Sequence, residues 1–328
     1  MTILVTGGAG YIGSHMVLEL LDRGEDVVVI DDLSTGIRKS VPESVKFFVG
    51  DIGDIDFTHN LLRTYAIDTI FHFAGSVIVP ESVADPLKYY RNNTANSRNL
   101  MESATKAGVR FFVFSSTAAV YGSISDQPVR EESPLQPDSP YGKSKLMTEM
   151  MLQDVSQAHG LRHAILRYFN VAGADPDLRT GQSTPNATHL IKVAAEAAVG
   201  KRKAIEIFGG DYPTPDGTCI RDFIHVADLV AAHAAALRHL RDGGESMTLN
   251  CGYGRGYSVL DVLKATKRLS GADFPTPIVN RRPGDVSTVI ANSELLRSKL
   301  GWKPNYDDLD LIVDHAIRWE RHVQKLAT

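Results

Sequence analysis

Two residues four apart carry the first hint of chemistry. Tyr141 and Lys145, in Tyr141-Gly142-Lys143-Ser144-Lys145, share one face of any helix that follows the proline-rich approach Pro134–Pro140. A phenol with an ordinary pKa of about 10 is a poor base at neutral pH. A neighbouring ammonium stabilises the phenolate and lowers that value. Upstream, Phe111-Phe112-Val113-Phe114 runs into Ser115-Ser116-Thr117. That puts a hydroxyl at the C-terminal end of an apolar strand, where doubly wound sheets place their ligands. Hydroxyl, phenol and ammonium together suit proton exchange with a sugar or alcohol hydroxyl. A tyrosine and lysine at this spacing occur by chance in many helices, so the pair draws its weight from its surroundings.

The most telling surroundings are N-terminal. A short apolar run, Ile3–Thr6, leads into Gly7-Gly8-Ala9-Gly10-Tyr11-Ile12-Gly13 and then into apolar residues at helical spacing up to Gly24. Glycines at 7, 10 and 13 allow a tight turn, close approach of backbone to a pyrophosphate, and close helix–strand packing. The helix N-terminus offers N–H groups to the phosphates. Asp31 ends the next apolar run, eighteen residues past Gly13. An acid there accepts hydrogen bonds from an adenosine ribose 2′-hydroxyl and repels a 2′-phosphate. No arginine follows before Arg38, so NAD is favoured over NADP. A plain turn and a solvated strand-end aspartate are the commoner readings of either feature alone; their order and context reverse that. Asp51-Ile52, after the third run, stands where an adenine would lie.

The elements that must position these groups alternate. Apolar runs at Asp26–Asp31, Val45–Val49, Thr69–Phe73, Phe111–Ser115 and Ala164–Tyr168 are separated by helical stretches, notably Pro86–Gly108 and Tyr141–His159. This βαβ rhythm predicts an α/β fold, a doubly wound parallel Rossmann sheet. Residues 1–170 form the expected dinucleotide-binding domain. Residues 171–328 form a second, smaller mixed α/β substrate lobe. It has loop-like Gly173–Asn186, Gly209–Gly217 and Phe274–Gly284, and helical patterns at His189–Gly200, His225–Leu240, Ser258–Leu269 and Asp307–His322. The strand-like Met247–Asn250 returns to the first sheet if the lobes interleave.

Composition excludes several classes. Lysine plus arginine number 35 and aspartate plus glutamate 39, a net charge of −4 in 328 residues. No basic excess or tract points to nucleic acid or a membrane surface. The apolar runs are far below the ~20 residues needed to span a bilayer, and the start has no signal-peptide pattern. Cys219 and Cys251 form no metal spacing, which suits free thiols in a reducing cytoplasm. His225, His233 and His239 are not at ligand spacing, so no metal is expected.

Seven segments in order carry a resemblance: Thr6–His15, His72–Gly75, Ser115–Gly122, Ser139–Glu149, Leu166–Ala174, Asp211–Val226 and Arg281–Asp285. Over nearly its full length the chain resembles the extended short-chain dehydrogenase/reductases, and among them the UDP-hexose 4-epimerases. The resemblance implies NAD-dependent reversible epimerisation at carbon 4 of a UDP-hexose through a 4-keto intermediate. It implies catalytic Tyr141, Lys145 and Thr117. It implies an NAD site of Gly7, Gly10, Tyr11, Ile12, Gly13, Asp31, Asp32, Asp51, Ile52, Phe73, Ala74, Gly75, Asn92, Tyr141, Lys145 and Tyr168. Asn170, His189, Phe208, Arg221, Arg282, Asp285 and Val289 would meet the UDP-sugar. Guanidinium forks suit a diphosphate; a lone arginine is more often in a surface ion pair. A homodimer pairing the two long helices is implied as well. The chain departs from many relatives at Thr117 (commonly serine), Val77 (commonly lysine) and His189 (commonly asparagine). Val289 takes a slot held in relatives by tyrosine or a small residue, and its size predicts room for UDP-N-acetylhexosamines. The alternatives are a nucleotide-sugar 4,6-dehydratase or decarboxylase, and a non-catalytic NAD-binding regulator. A dehydratase carries an Asp-Glu pair where this chain has Ala118-Ala119. A regulator would show a damaged Tyr/Lys pair.

Overall fold

The computed structural model describes every residue except Ser125, Pro185, Asn186, Pro283 and Thr328, and Ala327 in its backbone alone. The chain forms two compact units, one of Met1–Gly122, Ser133–Arg167 and Val230–Leu249, the other of Ser123–Glu132, Tyr168–Leu229 and Asn250–Thr328. No single boundary near residue 170 separates them, because the later segment Val230–Leu249 joins the first unit and Ser123–Glu132 the second.

The first unit is built on β1 (Thr2–Thr6), β2 (Asp26–Asp31), β3 (Lys46–Val49), β4 (Ile67–His72), β5 (Phe111–Ser115) and β6 (Arg162–Tyr168), paired in parallel. Met247–Cys251 adds a seventh strand, and the order across the sheet is Met247–Cys251, β6, β5, β4, β1, β2, β3. Continuous apolar strands must be covered on both faces, and Ile3, Leu4, Val5 and Phe111 to Phe114 are all buried. Leu61, Leu62, Leu100, Met101 and Leu152 from the helices pack on Leu4, Val28, Ile30, Ile70, Phe112 and Ile165. The order reverses at β1, so the C-terminal ends of β1 and β4 flank the crevice where such sheets bind ligands.

Helix Tyr11–Asp22 follows β1 directly. Ile55–Thr64 is a helix that the periodicity did not single out; Asp54 starts it by accepting the Phe57 N–H at 3.0 Å. Helix Pro140–His159 is capped by Ser139, which accepts the Gly142 N–H at 3.2 Å, and stops at Gly160 with φ 72°. The single helix expected over Pro86–Gly108 is instead three pieces: Pro86–Tyr89, a π-helical turn at Tyr90–Ala95, and Asn96–Ala107. The cause is Asn93, buried in the widened turn. Its carbonyl receives the hydroxyls of Ser97 at 2.6 Å and Thr148 at 2.7 Å, and its amide binds the Ser76 carbonyl and the Ser144 hydroxyl, each at 3.0 Å. Such turns concentrate at functional sites.

Among the described residues the second unit has three small sheets: Asn170–Ala172 with Phe223–His225, Ile207–Phe208 with Ile278–Val279, and Ile220–Arg221 between Tyr257–Ser258 and Thr288–Val289. Ala194, Ala197, Ile205, Ile207, Leu263 and Phe274 form one of its cores. Ser258 and Asp261 close a capping box on helix Val259–Ser270. Among the described residues no helix is long and apolar enough to cross a membrane.

Candidate active site

The glycine loop after β1 is shaped by contacts that tolerate no side chain. A Cβ on Gly7 would stand 2.6 Å from the Ala74 nitrogen, and one on Gly13 would stand 2.1 Å from the Gly7 carbonyl oxygen. Gly7 also needs φ 67°, which favours glycine. Gly10 is the N-cap of helix Tyr11–Asp22, with no side-chain cap and no acid in the first turn. The positive end of that helix therefore has no carboxylate of its own, as an anion-binding terminus requires. Asp31, buried at the end of β2, accepts the Ala9 N–H at 2.9 Å and the Leu33 N–H at 2.8 Å. Burial raises its pKa, and these two N–H groups act against that. The residues present thus fit the ribose and pyrophosphate of a dinucleotide.

Phe73, Ala74 and Gly75 continue β4 beside this loop, with the Phe73 N–H on the Thr6 carbonyl at 3.1 Å. Asp32 is exposed, Ile52 is buried, and Asp51 accepts the Gly53 N–H at 2.8 Å and the Asn96 amide at 2.9 Å. The Asn92 amide reaches the Ser76 hydroxyl at 3.1 Å. Tyr11 and Tyr168 are half-buried, and Ile12 is too.

Tyr141, Lys145 and Thr117 are all buried in the first unit. Burial pushes the Tyr141 phenol above its ordinary value, and a hydrogen bond with the Thr117 side chain acts in the opposite direction. The hydrogen-bonding partner of the phenol is Thr117, while the Lys145 ammonium lies over the Phe114 ring, 4.6 Å from its centroid. Burial lowers the Lys145 pKa to about 8, against a raising effect from Glu149. A lysine so placed loses its proton more readily than one in water, because water no longer solvates the cation. Val77 is exposed.

In the second unit Arg221 lies on the middle strand of its small sheet, opposite Tyr257 on one side and Val289 on the other. Its guanidinium is 4.0 Å from Asp285, which is also 3.4 Å from Arg282. Two guanidinium groups sharing one carboxylate leave a positive charge over, as a diphosphate site needs. Arg282 covers the Phe208 ring at 4.1 Å. Arg281 is engaged elsewhere, with Asp211 at 2.7 Å. Pro283 of this segment lies outside the described residues. The Asn170 N–H donates to the Asp222 carbonyl at 3.0 Å. His189 is exposed at the entry of helix Leu190–Ala198, and its Nδ1 meets the Gln182 amide nitrogen at 2.7 Å. Accepting there leaves Nε2–H as a donor in the neutral ring.

Several residues of consequence had no role in the sequence reading. Asp222, buried and raised by burial to about 6, accepts the N–H groups of Tyr253, Gly254 and Ala291 at 3.0, 2.9 and 3.2 Å. It thereby ties two segments, Tyr253-Gly254 and Ala291, to the strand end beside Arg221. Glu149 and Arg167 form a buried pair in the first unit. Glu149 ends the Ser139–Glu149 motif, one turn past Lys145, and that spacing was its only signal.

Residues 3–252 match the NAD dependent epimerase/dehydratase family. The chain is 55% identical over 323 residues to a UDP-glucose 4-epimerase of Azospirillum brasilense, covering 98% of this chain and 93% of that protein. The crystal structure of a UDP-glucose 4-epimerase from Brucella ovis in complex with NAD superposes with a TM-score of 0.94 at 42% identity, covering 97% of each chain. The UDP-Glc/GlcNAc 4-epimerase of Campylobacter jejuni does so with a TM-score of 0.86 at 49% identity, covering 98% of this chain and 99% of that one. A match of this length, on a sheet that presents the glycine loop, Asp31 and the Tyr141–Lys145 pair, means that the chain belongs to the NAD dependent epimerase/dehydratase family.

Proposed function

We propose that this protein catalyses the reversible, NAD-dependent inversion of carbon 4 in a UDP-hexose, interconverting UDP-galactose and UDP-glucose. The observation that carries the reading is the buried Tyr141 phenol hydrogen bonded to Thr117, one helical turn from Lys145. NAD, held by the glycine loop and Asp31, supplies a hydride acceptor that is regenerated within each turnover. Tyr141 takes the proton of the 4-hydroxyl and later returns it. Thr117 shares that proton path and holds the phenol in place. The Lys145 cation stabilises the phenolate electrostatically, and burial keeps water from screening it. Arg221 and Arg282 hold the diphosphate with their surplus charge, and Phe208, Asn170, His189 and Asp285 complete the UDP contacts. Val289, half-buried beside Arg221, leaves more room than a tyrosine would, which supports turnover of UDP-N-acetylhexosamines. Ala118 and Ala119 bring no titrating group to the turn after Thr117, which disfavours a dehydratase.

Incubation with UDP-galactose and no added NAD, followed by separation of the sugars, tests the reading. UDP-glucose should appear while the cofactor stays with the protein. A 4,6-dehydrated keto-sugar as product would overturn it.

A homodimer is part of the proposal. Val79, Val83, Leu87, Met147 and Met150 are exposed on the helices Val79–Ala84, Pro86–Tyr89 and Pro140–His159, which pack on one another. Apolar side chains concentrated on one face suit a second copy of the chain. Light scattering at micromolar concentration should give about twice 35.8 kDa, and Leu87→Glu should return the monomer. Free, buried Cys219 and Cys251 accord with a cytoplasmic location.

A further inference from the structure

Beneath the catalytic residues lies a buried ionic cluster. The Arg167 guanidinium donates to the Glu149 carboxylate from Nε at 3.1 Å to each oxygen and from Nη2 at 2.6 Å. Its Nη1 donates to the Tyr121 hydroxyl at 3.0 Å. Glu149 Oε1 also accepts the Ser116 hydroxyl. The side chains of Arg167 and Glu149 are 4% and 1% exposed, and Ser116 is fully buried. A buried charge is retained at high cost unless it is fully paired, and an apolar pair of the same volume would often be as stable. A stabilising role is therefore a weak explanation for this cluster.

Its position suggests another. Ser116 is the chain neighbour of Thr117, and its N–H is also held, by the Leu166 carbonyl at 2.8 Å. Glu149 follows Lys145 by four residues on the same helix, so it shares the face that carries Tyr141 and Lys145. We infer that Glu149 is a positioning residue: it anchors the strand end that aims Thr117 at Tyr141, and it supplies the negative charge that keeps Lys145 a cation. The inference rests on the epimerase reading for the roles of those three groups.

Among the described residues, Glu149 is the charged group that raises the proton affinity of Lys145. Tyr141 and Glu149 share its helix face, Phe114 of β5 lies under it, His72 of β4 feels its charge, and Arg167 of β6 is paired with Glu149. Burial and the Lys145 charge bring the His72 pKa down to about 3, so His72 is neutral and offers no compensation. Phe114 contributes only its ring face. Glu149 raises the proton affinity of Lys145 against the effect of burial.

The test uses the NAD-loaded protein with lysines carbon-13 labelled at Cε, the Lys145 signal being identified by its absence in Lys145→Met. In Glu149→Gln the Lys145 proton should dissociate about tenfold more readily, and the alkaline limb of kcat should move to lower pH by the same factor. KM for UDP-galactose should change little. Ser116→Ala leaves the ion pair intact and should fold even if Glu149→Gln does not. It should lower kcat about tenfold with KM and bound NAD unchanged. Native titration of Lys145 in Glu149→Gln, or native kcat in Ser116→Ala with only a lowered Tm, would overturn the inference. The titration needs no substrate, so it stands or falls apart from the epimerase reading, which fails separately if the native protein makes no UDP-glucose.

Discussion

The Tyr89 ring stands edge-on to Tyr141 with the two centroids 6.3 Å apart. The two phenols have opposite surroundings. The Tyr89 hydroxyl accepts the Ile78 N–H at 2.9 Å and lies 2.7 Å from the Ile78 carbonyl and 2.8 Å from the Glu81 carboxylate. Burial and that carboxylate push its pKa far up, so Tyr89 stays protonated and clamps the chain next to Val77. Tyr141 has a hydroxyl and an ammonium near it instead. Tyr141→Phe should keep the fold and the bound NAD and lower kcat by ~10²–10⁴, the usual loss for one general base. Tyr89→Phe should keep most of kcat and lower stability by about 1–3 kcal/mol, as polar partners of a buried hydroxyl are left unmet. Turnover measured for both variants distinguishes the base from the clamp.

Gly13→Ala tests the glycine loop by size alone. Its new methyl would stand 2.1 Å from the Gly7 oxygen, a backbone atom that cannot yield without opening the loop. The variant should lose about 1–3 kcal/mol of stability and copurify with little NAD, read as nucleotide released on denaturation.

His72 makes the protein sensitive to acid. Ser97 gives its proton to the Asn93 carbonyl at 2.6 Å, so it accepts from His72 Nε2–H at 2.8 Å, and His72 Nδ1 is left to accept the Thr6 hydroxyl at 2.7 Å. The folded pKa is depressed to about 3, below the ordinary value of about 6.5. The unfolded chain therefore binds the proton first as pH falls. The contribution is fully present above pH 6.5 and is lost toward pH 3, about 5 kcal/mol in all. His72→Gln keeps a donor and an acceptor but cannot titrate. Denaturant melts between pH 7 and 4 should show a flatter pH dependence in the variant.

Val289 is the expected gate on sugar size. Its strand pairs with Ile220–Arg221 in register Val289↔Arg221, which sets it beside the arginine proposed to hold the diphosphate. Val289→Tyr should lower kcat/KM for UDP-N-acetylgalactosamine relative to UDP-galactose by roughly 10-fold or more, within the ~1–3 kcal/mol that an apolar steric contact controls. An unchanged ratio would mean that another residue sets the width.

The order of strands and helices was legible because each depends on a short stretch of chain. The valine run before Asp31 and the phenylalanine run before Ser115 can be buried only inside a two-sided sheet. Glycines at 7, 10 and 13 announce a turn by their spacing alone, although the fold then sets Gly7 against Ala74 and Ile30. Tyr141 and Lys145 share a face because helical geometry demands it. The tertiary structure decided what those residues touch. Ser116 meets Glu149 across 33 residues of chain, Glu149 meets Arg167 across 18, and Asn93 meets Ser144 across 51. No periodicity encodes such pairs, since each arises only when separate elements pack. The same packing opened the helix expected over Pro86–Gly108 into a π turn, because the Asn93 carbonyl found two hydroxyl donors, Ser97 one turn on and Thr148 on helix Pro140–His159. It also drew Met247–Cys251 to the sheet edge beside β6. Burial, which exists only in the folded chain, then set the protonation of His72 and Lys145, and so turned a tyrosine–lysine spacing into a site able to move a proton.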